Sequence, residues 1–128
     1  MKNLKKTAFL LVLTAMLSIT FSGCTKEGFD GDARVSGTVA HHGEKIADAT
    51  VYIKFGASEL PGTLASDFDA STIADAQGVY TFENLKRGNY YLYSLGYDSS
   101  IVDFVKGGIS FELTEKDQDL TVDVAVTE

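Results

Sequence analysis

From Ala33 onward, apolar side chains recur at every second position, and a chain with that period cannot fold as a helical bundle. Val35, Gly37 and Val39 alternate with Arg34, Ser36 and Thr38. A strand sends successive side chains to opposite faces, so the pattern is that of a half-buried β-strand. Ala49, Val51, Ile53 and Phe55 repeat it against Thr50, Tyr52 and Lys54, and residues 71–74 give a weaker third strand. Tyr80 and Phe82 face inward on a fourth, followed by Leu85, and Tyr90, Leu92 and Ser94 on a fifth. Ile109, Phe111 and Leu113 form the sixth; Leu120, Val122, Val124 and Val126 form the seventh. Asp75-Ala76-Gln77-Gly78 has Asp first and Gly last, as a type I turn prefers. Nowhere after the first strand do apolar residues fall at i, i+3, i+4 and i+7 over three turns. Seven short alternating strands predict an all-β, antiparallel seven-stranded sandwich: two sheets face to face around one core.

The first 23 residues follow another logic. Lys2, Lys5 and Lys6 precede an apolar run over 7–21, and the small residues Ser22 and Gly23 close it. These are the three regions of a secretory signal, 1–23. An apolar helix of that length spans roughly 22 Å, short of a hydrocarbon core of ~30 Å, so cleavage is expected rather than permanent anchorage. Phe21-Ser22-Gly23-Cys24 resembles the lipobox of bacterial lipoproteins. The resemblance implies that Cys24 is acylated, with palmitate-like chains as the membrane contact; an unmodified thiol after an ordinary cleavage site is the alternative. By the same resemblance Thr25 implies delivery to the outer membrane, on its periplasmic side or at the cell surface. Lys26-Glu27, Asp30 and Asp32 are similar to the charged export tag of Bacteroidetes surface lipoproteins. Residues 24–32 then read as a lipidated tether, and 33–128 as the domain.

Within that domain, Val35-Ser36-Gly37-Thr38-Val39 and Ile46-Ala47-Asp48-Ala49-Thr50-Val51 resemble the opening of carboxypeptidase regulatory-like domains. Asp75 to Phe82, Leu85 to Leu92 and Leu95-Gly96-Tyr97 continue the likeness. It implies a transthyretin-like sandwich whose relatives serve as spacers, adhesion modules and extensions of transporters; a fold alone carries no chemistry.

Charge and composition remove whole classes of function. Three of the 11 basic residues lie in the signal, leaving eight against 18 acids, a balance of −10 for the mature chain. Such an excess opposes nucleic-acid binding, which neutralises phosphates with Lys and Arg. Cys24 is the sole cysteine, so an internal disulfide and a Cys-based zinc site are both excluded. The two histidines, His41 and His42, are adjacent at a strand end; side chains alternate there, so they are expected to be solvated turn residues rather than one site. Asp67, Asp69 and Asp75 could offer oxygens to calcium, but no twelve-residue calcium loop accompanies them. No catalytic constellation, cofactor or metal site is expected, and no enzyme.

The aromatics are the remaining candidates. With Tyr90 and Leu92 inward, Tyr91 and Tyr93 point outward, as does Tyr52, and Tyr97 ends the strand. Tyrosine faces stack on sugar rings and are enriched at protein interfaces. Cross-strand pairing, or cover by the long loop 56–70 that carries Phe68, is the competing account. Residues 98–107 bring Ile101, Val102, Phe104 and Val105, an extra edge strand or an exposed apolar patch. The expectation is a lipid-anchored module that binds an envelope protein or glycan through Tyr52, Tyr91, Tyr93, Tyr97, Phe68 and Phe104. A purely structural spacer or assembly subunit is the alternative.

Overall fold

The computed structural model describes residues 26–128, so the signal 1–23 and Cys24 lie outside the described residues. Two sheets face each other. The first holds β1 (Phe29–His41), β2 (Glu44–Lys45), β5 (Val79–Leu85), β8 (Asp119–Thr121) and β9 (Val124–Ala125). The second runs β4-β3-β6-β7, with β3 Thr50–Phe55, β4 Ala70–Ile73, β6 Gly88–Asp98 and β7 Asp103–Leu113.

β1 is the axis of the first sheet, antiparallel to β5 along one edge and parallel to β8 and β9 on the other. That sheet is therefore mixed, where seven antiparallel strands were expected. The expected last strand is split in two by a crossing at Gly37. A Cβ there would lie 1.9 Å from the Val122 carbonyl oxygen, so only glycine lets the chain pass. The Asp123 carboxylate replaces the interrupted ladder by accepting the Thr38 N–H at 2.9 Å. The Tyr80 hydroxyl donates to the same Val122 carbonyl.

β1 begins at Phe29, inside the stretch read as tether. Gly28 is held there because its N–H reaches the Tyr90 hydroxyl at 3.1 Å and its carbonyl accepts from Lys86 N–H at 2.8 Å. The Tyr90 hydroxyl in turn donates to the Lys86 carbonyl four residues upstream, at 2.6 Å. One buried phenol thus locks the β5–β6 turn and the start of the domain together.

The core lies between the sheets, with Val35, Val39, Ile53, Leu85, Leu92, Val105 and Val124 fully buried. Tyr90 stacks on Phe111 at 5.2 Å and meets the Phe55 edge at 5.9 Å, filling one end of it. The Asp75 turn forms as its sequence demands: Gly78 N–H bonds the Asp75 carbonyl, and Gly78 takes a φ of +74°. Residues 98–107 are no insertion. They are the outer half of a β6–β7 hairpin that pairs Gly88 with Leu113 and Asp98 with Asp103.

Candidate functional site

The outer face of the second sheet divides the expected tyrosine set in two. Tyr52 and Tyr93 are cross-strand partners, and Phe68, arriving from the loop 56–70, stacks on Tyr93 at 5.7 Å and 9°. Phe68 also packs against Tyr52 at 5.2 Å. Tyr93 is only 6% exposed as a result. Loop cover buries Tyr93 and leaves Tyr52 and Phe68 half-buried, because packing the three rings against one another stabilises the sheet more than leaving them wet. Tyr91 is half-buried, with its hydroxyl over Gly108 of β7, where a Cβ would lie 2.6 Å from it.

Tyr97 and Phe104 remain open. They are register partners on β6 and β7, meet edge to face at 5.4 Å, and are 46% and 65% exposed. The adjoining register row adds Leu95 and, across β3, Ile73, both also exposed. Val102 caps the hairpin tip beside them with a φ of +57°, an uncommon conformation for a β-branched residue.

The loop acids do not assemble. Asp69 accepts the Phe55 N–H at 2.7 Å and pairs with Lys54. Asp67 accepts the Leu64 N–H at 2.9 Å, and Asp75 binds the N–H groups of Gln77 and Val79, both at 2.9 Å. Asp67 and Asp75 fix their own turns, and Asp69 ties the loop back to β3.

His41 overturns the reading of both histidines as solvated turn residues. It is 3% exposed, with Nδ1 2.8 Å from Asp98 Oδ2. The other Asp98 oxygen accepts from the Ser100 N–H at 2.8 Å and the Ser100 hydroxyl at 2.6 Å. Alternation fails because His42 takes a φ of +47°. That left-handed residue swings its ring back until the two imidazole centroids lie 4.3 Å apart. Glu128 Oε2 closes the group, 2.8 Å from His41 Nε2. The Asp98 carboxylate, assisted by Glu128, raises the His41 pKa above its ordinary value against the opposing effect of burial. The Ser100 hydroxyl first, and His41 second, hold Asp98 down at about 2. The Ser100 hydroxyl and the imidazole bond opposite oxygens of one carboxylate, not each other.

At the opposite end, where the chain enters the domain, a shallow hollow of about 330 Å³ is lined by Lys26, Lys86, Arg87 and Lys116 with Asp30 and Gly31. Half of the eight basic side chains among the described residues gather there. No helix among the described residues is long and apolar enough to cross a membrane.

No protein-family model and no curated protein matches the sequence. Among solved structures the chain is similar to a variant of BcpA, the major pilin subunit of Bacillus cereus, with a TM-score of 0.53 at 12% identity. The match covers 77% of this chain and 30% of the pilin, so the chain spans less than a third of that protein's length. BcpA itself gives 0.50 at 12% identity, over 73% and 29% of the two chains. A candidate carbohydrate-binding protein from Pseudomonas aeruginosa gives 0.49 at 13% identity, over 77% and 90%. The pilin likeness bears on the fold alone, and that fold is the two-sheet sandwich.

Proposed function

We propose that this chain is a lipid-anchored, non-enzymatic β-sandwich of the cell envelope that binds a protein partner through the outer face of its second sheet. The observation that supports this is the exposed Tyr97–Phe104 pair, continued by Leu95, Ile73 and Val102 at the end of the domain away from the tether. An apolar cluster left open while Phe68 covers Tyr93 a few residues away is the composition of an interface centre. Glycan stacking has less support, because the two open rings stand at 72° and present no shared flat surface.

The test is site-specific photo-crosslinking in intact cells. A crosslinker replacing Phe104 is expected to give a discrete protein adduct, and one replacing Glu83, on the other sheet, is not. An adduct at Phe104 that disappears with Tyr97→Ser confirms the contact. Absence of any adduct at Phe104 refutes it in favour of a spacer.

A further inference from the structure

The end of β1 holds a buried imidazole whose outer nitrogen has no hydrogen bond. Asp98, fixed by two bonds from Ser100, accepts the hydrogen bond of the His41 Nδ1–H. In the neutral ring this leaves the lone pair on Nε2, the tautomer of a metal-binding histidine backed by a carboxylate. Nε2 is buried and 2.8 Å from Glu128 Oε2, yet the contact lacks the alignment of a hydrogen bond. His42 is folded onto the same side by its positive φ. One donor atom from each of His41, His42 and Glu128 lies within 4.8 Å of the other two. Bonds of about 2.05 Å at tetrahedral angles set donors roughly 3.3 Å apart, so the cluster needs only a small adjustment to enclose an ion.

We infer that His41, His42 and Glu128 form a binding site for a divalent first-row transition ion, typified by Zn²⁺, with Asp98 as the residue that positions His41. Two imidazoles and one carboxylate are a borderline donor set, suited to zinc, copper or nickel, whereas calcium and magnesium take oxygen. Three protein ligands leave a fourth position to water, and the exposure of His42 and Glu128 gives the ion its route in. The site also lies on a seam. β9 belongs to the first sheet through its pairing with β1, while Thr127 exchanges two 2.8 Å backbone bonds with Lys106 of the second. An ion held by Glu128 and His41 fastens that crossing, so binding to the folded form raises the melting temperature. The inference is independent of the partner surface at Tyr97.

The experiment uses the full chain without a histidine tag, stripped with EDTA and carrying Cys24→Ser so that no thiol supplies the signal. Calorimetric titration with Zn²⁺ is expected to show one saturable equivalent, together with a rise in Tm. His42→Ala and Glu128→Gln, both at exposed side chains that leave His41–Asp98 intact, are each expected to weaken binding tenfold or more. Asp98→Asn is expected to weaken it 10–100-fold. Co²⁺ in place of Zn²⁺ gives the visible absorption of a tetrahedral site, and Ca²⁺ or Mg²⁺ produces no shift. Absence of saturable Zn²⁺ binding, or equal affinity in His42→Ala and Glu128→Gln with their folds intact, overturns the site. His41 would then be an ion-paired histidine only.

Discussion

At Gly37 a missing Cβ decides where two parts of the chain can cross. Alanine there would press on the backbone of Val122 and not on a flexible side chain, so Gly37→Ala is expected to cost roughly 1–3 kcal/mol in urea denaturation. The tyrosines divide by the same measure of space. Tyr93→Ala empties a stacked, covered site and should destabilise by about 3 kcal/mol, whereas Tyr97→Ala, at an open surface, should stay within about 0.5 kcal/mol. Burial also pushes the phenols of Tyr80 and Tyr90 up in pKa, Tyr80 the further. Unfolded tyrosine ionises near pH 10, and the native chain keeps both protons past that point. Stability is therefore fully present below about pH 10 and lost as pH rises beyond it. Tyr80→Phe should flatten that alkaline limb, as followed by phenolate absorbance against unfolding. The inward positions of Tyr80, Phe82, Tyr90 and Leu92 were legible in the sequence because period two holds there. The burial of His41 was legible too, since it continues the inward series Val35, Gly37 and Val39. The return of the His42 ring to its side was not, because the left-handed φ of residue 42 leaves no trace in residue type: Asn or Gly would have signalled it, His does not.

The β6–β7 hairpin is the element that sequence patterning cut short. Gly107 and Gly108 interrupt the alternation of Val105, Ile109 and Phe111, so the strand reads as ending where it continues. The structure explains both glycines. Gly107 makes room for the Ala125 carbonyl and Gly108 for the Tyr91 ring. They are packing features, whose partners lie on other strands and are invisible to a local pattern. The tip itself is strained, as Val102 holds a left-handed φ at a cost of about 1–2 kcal/mol. Val102→Gly should recover about 1 kcal/mol of that and raise Tm by roughly 4–8 °C. Strain of this kind persists where the surroundings impose it, and here it adjoins the exposed Tyr97–Phe104 pair. The weak third strand and the Asp75 turn were legible because their chemistry is local; the splitting of the last strand at residues 122–123 depends on a glycine 85 positions away and was not.

Over the whole molecule, β1 runs from Phe29 to the buried His41. Phe29 and Ala33 share Leu85 as partner across a bulge, so the length of the strand is set by Ala33 to His41, roughly 26 Å at the rise of an extended strand. The basic hollow around Lys86 and Arg87 lies at its beginning, and the open aromatic pair and His41 cluster at its finish. An anchor at Cys24 would therefore hold the basic end nearest the bilayer and present the apolar end outward. Cys24→Ser is expected to move the protein from the membrane fraction to the soluble fraction with its melting temperature unchanged, and retention in membranes would refute acylation as the anchor. The order in which the strands leave the ribosome has a further consequence. β1 is made first, yet its parallel neighbours β8 and β9 are made last, and Thr38 waits for Asp123. The first sheet cannot close until almost the whole chain is available, and such long-range pairing is slow. A chain with this wiring cannot complete its first sheet before its last strands are available, so its topology serves as its own delay.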